Sequence, residues 1–319
     1  VSSSNDSGSN PFRSGFVSLL GRPNAGKSTL LNTLVGEKIA IVSDKPQTTR
    51  TTVQGVLTTE EGQVVFLDTP GIHKTDTQLN KRMMDAVRSG LDARDILLFV
   101  VDASRPDLES QKQALEFLQR IDTPTVLVLN KVDRIQDKRE LLPLIERCME
   151  IYPFVDPVPV SALQGDNLDA LRKVIFKYLP EGPHYFPDDY LTDQPERFLV
   201  SELIREKILL LTRAEVPHSV AVLIEQWEER PKLTRIAATI LVERSGQKAI
   251  VIGAKGEMLK QIGSEARAEI ETLLGAKVFL ELFVKVTTGW RDKVAVLNEL
   301  DWRVHLSGGT PEPEDGPKT

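Results

Sequence analysis

From Phe16 onward, short near-continuous apolar runs recur along the chain: "FVSLL", "QVVFLD", "DILLFVVDAS", "PTVLVLNKVD" and "PVPVSAL". Amphipathic stretches such as "KSTLLNTLV" lie between them. Strands apolar on both faces, separated by helices, belong to a parallel sheet covered on both sides. One segment breaks the rhythm. "TTVQGVLTTEEGQVVFLD" carries two strand-like runs around a Glu-Glu-Gly turn, which predicts a hairpin with one antiparallel strand at a sheet edge. Residues 15–180 therefore read as an α/β domain, a doubly wound and mostly parallel sheet.

Residues 181–196 hold several of the prolines and acidic residues of "PEGPHYFPDDYLTDQPER", a pattern neither helix nor strand accommodates, and read as a linker. Beyond it, over 197–305, the order changes. A helix ("ERFLVSELIREKILLLT") precedes two strands ("HSVAVLIEQWEE", "LTRIAATILVER"), then a segment with "AIVI" as a short apolar strand before a long helix, a strand ("KVFLELFVKV") and a last helix ("RDKVAVLNEL"). This is a small α+β domain. The Ser-rich lead, 1–14, and the Pro/Gly/acidic tail, 306–319, read as disordered.

Composition narrows the class. A chain of 319 residues holds about two domains of ordinary size. No apolar run reaches the ~18 residues of a spanning helix, and no charged n-region leads into an apolar stretch, so a cytosolic protein is expected. The single cysteine, Cys148, sits in a helix-like run and reads as a core or boundary residue, and the four histidines lack metal-ligand spacing. A net charge of -6 requires any nucleic-acid partner to be met by a local patch.

The chemistry concentrates in "GRPNAGKST", residues 21–29, placed between a strand and a helix. Gly21, Gly26, Lys27 and Ser28 fit a phosphate-binding loop (P-loop): backbone N–H groups face phosphate, Lys27 reaches the β and γ oxygens, and Ser28 offers an oxygen to Mg2+. Asp68 of "DTPG" ends the strand "VVFLD", where it can hold Mg2+ through water while Gly71 N–H meets a γ-phosphate. "NKVD", 130–133, ends another strand. Its Asp133 carboxylate can accept the two N–H donors of guanine that adenine lacks, selecting GTP. "SAL", 161–163, ends the last strand and offers a backbone N–H to the guanine oxygen. The polar "SDKPQTTRTT" reads as a switch segment whose Thr49, in preference to Thr48, completes the Mg2+ shell.

These residues, in this order, resemble the Era-type GTPases of bacterial ribosome assembly, over nearly the whole chain from "GFVSLLGRPNAGKSTLLN" through "KPQTTR", "FLDTPGIHK", "LNKVD" and "VPVSAL". The resemblance implies a Ras-like P-loop NTPase domain joined to a type II KH domain that binds the 3′ end of 16S ribosomal RNA in the small ribosomal subunit. GTP and GDP with Mg2+ are the implied cofactors, and peripheral membrane association is seen in some members. A monomer is expected. The nucleotide set implied is Gly21, Asn24, Ala25, Gly26, Lys27, Ser28, Thr29, Asp68, Gly71, Asn130, Lys131, Asp133, Ser161 and Ala162, with Lys27, Thr49 and Gly71 acting in catalysis and Ser28, Thr49 and Asp68 on Mg2+. Ile72 stands where the Ras-like arrangement has a water-orienting glutamine. A hydrophobic side chain cannot do this, so another group positions the water or hydrolysis is slow until a partner completes the site. Asn24 has two readings: a ligand for K+ bridging the phosphates, or a turn-stabilising residue.

In the second domain "GAKG", 253–256, resembles the KH loop, where glycine backbone meets a nucleic-acid strand closely. Gly253, Ala254, Lys255 and Gly256, with Lys248 and Lys260, make a local cationic patch. Ile250, Ile252 and Ile262 either line a groove for bases or simply pack in the core. Two rivals stand beside an RNA-binding GTPase: a GTP-regulated adaptor for membrane or protein, and a GTPase subunit of an RNA-modifying enzyme. For the latter no catalytic cysteine, methyl-donor loop or zinc cluster is visible.

Overall fold

The computed structural model describes residues 11–71, 76–92, 94–105, 118, 122–213 and 216–306. The chain divides into two compact units, Val1–Lys74 with Arg82–Gln194, and Pro195–Thr319 with Thr75–Lys81.

The first unit is built on a six-stranded sheet in the order β2-β3-β1-β4-β5-β6. Its strands are β1 (Arg13–Leu20), β2 (Val53–Thr59), β3 (Gly62–Asp68), β4 (Ile96–Asp102), β5 (Thr125–Asn130) and β6 (Pro157–Pro159). Only the β2/β3 pair is antiparallel, and β2 lies at the edge. Helices α1 (Lys27–Val35), α2 (Gln78–Asp92, from Arg82 on), α3 (Leu141–Ile151) and α4 (Leu168–Tyr178) accompany it. The alternation of β4 shows how the sheet is covered twice. Ile96, Leu98 and Val100 join a core with Leu30, Leu31 and Leu34 of α1 and Leu171 and Ile175 of α4. Leu97, Phe99 and Val101 join the opposite core with Met84 and Val87 of α2 and Leu141, Leu144 and Cys148 of α3. Each such side chain stabilises the fold by roughly 1.5–3 kcal/mol, and burial pushes the Cys148 thiol up to about 11.

Two boundaries differ from expectation. Strand β1 begins at Arg13, so residues 13–14 are ordered and do not belong to a disordered lead; Phe12 also stacks on His184 at 3.9 Å. Their polarity hid this, because β1 opens beside Gly62, where an added Cβ would lie 1.9 Å from the Arg13 carbonyl oxygen. The expected linker, too, is no free tether up to Gln194. Gln63, fully buried in β3, accepts the Tyr185 and Phe186 N–H groups (2.8 and 3.0 Å) and donates to the Phe186 carbonyl (2.9 Å). Further on, Val56 N–H donates to the Leu191 carbonyl (2.8 Å), and the Thr192 hydroxyl to the Gln54 carbonyl (2.7 Å). The segment is a strap laid along β2, prolines and all, because its partners are side chains and single backbone groups rather than a ladder.

The second unit runs α5 (Glu196–Leu211), β7 (Ala221–Arg230), β8 (Leu233–Val242), α6 (Ser245–Ile252), α7 (Glu257–Leu274), β9 (Val278–Val286), α8 (Val294–Leu300) and α9 (Trp302–Leu306). Its sheet has the order β7-β8-β9, antiparallel then parallel. "AIVI" is helical, not a strand. A short apolar run fits either structure, and here Gln247 decides it: its side chain accepts the Glu243 and Arg244 N–H groups (2.9 and 3.0 Å), capping the first turn. Gln247 and Val251, four apart, are the buried positions of α6, as helical spacing requires.

Candidate functional site

The loop between β1 and α1 is shaped by close approaches that only glycine permits. A Cβ on Gly21 would lie 2.4 Å from the Val100 carbonyl oxygen. One on Gly26, which has φ +94°, would lie 2.3 Å from the Asn130 amide nitrogen. Gly26 precedes the first turn of α1, leaving that turn's N–H groups facing the loop. Lys27 Nζ donates to the Gly21 and Arg22 carbonyls (3.1 and 3.2 Å), which folds the ammonium back across the loop.

Three oxygens converge beside it. Ser28 Oγ lies 2.6 Å from Asp68 Oδ2 and 2.8 Å from Thr49 Oγ1, and Thr49 Oγ1 is 3.3 Å from the same carboxylate oxygen. Thr48 is occupied elsewhere, donating to the Lys45 carbonyl (2.6 Å) beside Ser43 Oγ (2.7 Å). Asp68 is fully buried, and its Oδ1 has no hydrogen-bond partner. Burial drives its carboxyl up, against the opposing pull of Lys27 and the two hydroxyls; burial likewise drives the Lys27 ammonium down, against Asp68. Hard oxygens around a dehydrated, half-satisfied carboxylate suit a divalent cation such as Mg2+. Gly71 packs on the loop, where an added Cβ would lie 2.8 Å from Pro23 Cγ. A cavity of about 50 Å³ is lined by Asn24, Lys27, Ser28, Thr29, Thr49 and Gly71 among others. Ile72 lies outside the described residues.

The far end of the site is a braced set of loops. Asn130 is 2% exposed and faces inward: its amide donates to the Ala25 carbonyl (2.9 Å), and its oxygen accepts the Lys131 and Ala162 N–H groups (2.8 and 3.0 Å). Asn130 thus ties three loops together. Of the backbone N–H groups of "SAL", that of Ala162 is engaged by this brace, and that of Ser161 donates to the Asp166 carbonyl at 3.2 Å. Thr33, bonded to the carbonyls of Thr29 (2.8 Å) and Ala162 (2.9 Å), joins α1 to the same set. Asp133 Oδ1 accepts the Ser161 hydroxyl at 2.6 Å, fixing the carboxylate's orientation. Lys131 takes a left-handed conformation, φ 67°, and sends Nζ to the Asn24 carbonyl (2.5 Å) and Asp102 Oδ2 (2.6 Å). Asp102 escaped the sequence reading; its place at the end of "ILLFVVD", in register with Asn130, was the available signal. Asn24 has φ 64°, as its turn reading expects, and its side-chain nitrogen donates to the Asp44 carbonyl at 2.7 Å.

In the second unit "GAKG" joins α6 to α7, helix to helix. Gly253 (φ +73°), Lys255 (φ 52°) and Gly256 (φ +83°) all take positive φ. Ala254 and Lys255 are exposed, Lys248 is half-buried on α6, and Lys260 is exposed on α7. A groove of about 370 Å³ opens beside Gly256, walled by Leu259, Lys260, Gly263 and Arg267 of α7 and by Leu280 and Leu282 of β9. Of the three isoleucines, Ile262 is fully buried in the core, Ile250 is 44% exposed and Ile252 is half-buried; none of them lines the groove.

Residues 16–131 match the family described as "50S ribosome-binding GTPase", and 215–291 match "KH domain". GTPase Era of Geotalea uraniireducens (strain Rf4) is 53% identical over 292 residues, covering 91% of this chain and 98% of that protein. GTPase Era of Geobacter metallireducens is 51% identical over 295 residues, covering 92% and 99%. The chain belongs to the Era GTPase family. Among solved structures, an Era complex with MgGDPNP and nucleotides 1506–1542 of 16S ribosomal RNA aligns with TM-score 0.87 at 42% identity, covering 91% of this chain and 99% of that one. A point variant of Aquifex aeolicus Era bound to GDP and AlF4- aligns with TM-score 0.86, also at 42% identity and with the same coverage of 91% and 99%. Membership makes this chain a GTP hydrolase with a P-loop domain followed by a KH domain. No helix among the described residues is long and apolar enough to cross a membrane.

Proposed function

We propose that this Era-family GTPase uses its nucleotide state to control binding of the 3′ end of 16S ribosomal RNA during small-subunit maturation. The observation that carries the RNA half is the Gly253–Gly256 loop, with Gly253, Lys255 and Gly256 at positive φ, joining two helices beside a groove with apolar walls and basic Lys260 and Arg267. Such a loop lets phosphates approach backbone while bases enter the groove. The relative bound to 16S nucleotides supports the choice of RNA over the adaptor reading. The test is to measure RNA affinity of the nucleotide-free, GDP and GTP-analogue forms. The coupling reading expects different values, since a ligand that does not distinguish two states shifts nothing; three equal affinities overturn it.

At the nucleotide, Lys27 and the first-turn N–H groups of α1 hold the phosphates, Gly71 N–H meets the γ-phosphate, and Asp133 reads guanine. Ser28, Thr49 and Asp68 hold Mg2+, which when bound neutralises charge on the phosphate oxygens. Asn130 and Lys131 belong to the same guanine clamp, and their bonds to Ala25, Ala162, Asn24 and Asp102 brace its loops. Removal of the Thr49 hydroxyl (Thr49→Val) is expected to weaken binding of the GTP analogue about tenfold, as loss of one oxygen ligand entails, while GDP binding changes little. Equal losses for the two nucleotides, read by titration, remove Thr49 from the switch.

A K+ ion at Asn24 is the companion proposal. If its side-chain oxygen takes a K+ ion, replacing Na+ by K+ accelerates hydrolysis and Asn24→Ala abolishes the acceleration. Equal rates in both salts return Asn24 to its turn and to its bond with Asp44.

A further inference from the structure

The geometry points to Asp102 as a positioning residue for the guanine nucleotide, acting through Lys131. Asp102 ends β4, in register with Asn130 at the end of β5, and both of its carboxylate oxygens are engaged. Oδ1 accepts the Ser104 N–H (3.1 Å) and hydroxyl (2.6 Å); Oδ2 accepts Lys131 Nζ (2.6 Å). Burial pushes this carboxyl up, but Lys131 and Ser104 outweigh it and hold the group below the usual carboxylate range, so it stays ionised.

The ordinary reading of such a pair is a surface ion pair worth little. Three features set this one apart. Each side chain is only 20% exposed, which limits screening. The same ammonium also holds the Asn24 carbonyl of the phosphate loop, so Asp102 anchors a bridge between the two halves of the nucleotide site. The bridge also fixes a residue whose backbone sits in the sparsely populated left-handed region two positions before Asp133. Without Asp102, Lys131 keeps a single neutral acceptor, and the turn that aims Asp133 loses its charged tether. The effect is expected to fall equally on GTP and GDP, because the bridge joins Lys131 to Asn24 and Asp102 and not to Thr49 or Gly71, the residues assigned to the γ-phosphate state. Loss of uniform binding raises KM and leaves the chemical step unchanged.

The inference rests on reading Asn130–Asp133 as the guanine clamp. The test is the dissociation rate of a fluorescent N-methylanthraniloyl-GDP from the full chain, with steady-state GTPase kinetics. Asp102→Asn is expected to release the nucleotide about tenfold faster, the difference between a charge-assisted and a neutral hydrogen bond, and to raise KM with kcat changed less than about twofold. In a Lys131→Met background the same substitution is expected to add nothing. Unchanged release, or an equal acceleration with and without the Lys131 ammonium, overturns the inference. A wild-type chain that prefers no guanine nucleotide overturns the clamp reading instead. Should Asp102→Asn not fold, Ser104→Ala, which frees Oδ1 of its hydroxyl donor, decides by the same readout: faster release supports the role, an unchanged rate removes it.

Discussion

Asn in place of Asp133 is expected to lower GTP affinity by on the order of a hundredfold or more, and to make xanthosine triphosphate the better ligand. In the proposed clamp the carboxylate accepts from two guanine donors, the ring N–H and the exocyclic amine; an amide would meet that pair with a donor facing a donor. Xanthine replaces the amine by an oxygen, which the amide N–H can serve. The outcome is sharpened by the Ser161 hydroxyl, bonded to Asp133 Oδ1 at 2.6 Å, because an Asn oxygen accepts that same bond and keeps the side chain in place. The substitution therefore exchanges recognition without dismantling the loop. Competition titrations with the two triphosphates read it directly, and unchanged GTP preference removes Asp133 from base reading.

The second large effect is expected at the KH loop, and the structure picks out which of its glycines gives a clean test. A Cβ on Gly253 would sit 2.6 Å from Met258 Cβ and 2.9 Å from Met258 N, so substitution there damages the loop itself. A Cβ on Gly256 would meet nothing beyond its chain neighbours within 4 Å. Its φ of +83° costs an aspartate some strain, of order 1 kcal/mol, but the space is open until a nucleic-acid strand fills it. Gly256→Asp is thus expected to abolish RNA binding, by obstruction and by repulsion of phosphate, with GTP affinity and basal hydrolysis near wild type. Lys255→Ala is expected to weaken RNA binding mildly and to lower its salt dependence by up to about one counterion. Gel-shift titrations at several salt concentrations separate the two. RNA binding by Gly256→Asp at wild-type strength rules out backbone contact at this loop.

What the sequence made legible was what periodicity and spacing encode. The two-sided apolar strands told of a doubly covered sheet, the Glu-Glu-Gly turn told of the edge hairpin, and motif order placed Lys27, Ser28, Asp68 and Asp133 on one rim. What stayed hidden depended on partners distant in sequence. "AIVI" is apolar enough for a strand, and it is helical in a segment whose start is capped by Gln247. Asn130 carries a motif letter associated with the nucleotide yet spends its side chain on Ala25, Lys131 and Ala162. Asp102 belongs to no motif that names it, and its bond to Lys131 emerges only once β4 is laid in register on β5.

The strap over β2 bears on where the GTPase half of this chain ends as a folding unit. Cut after Leu179, where helix periodicity stops, that half would present a bare edge strand, with the Val56 N–H and Gln54 carbonyl open to pairing with another chain. The buried Gln63 amide would also lose three of its partners, a penalty of roughly 1–3 kcal/mol for each polar group left unsatisfied. Residues 181–194 act as the sheet's selvedge, a finished border that keeps the weave from fraying into its neighbours.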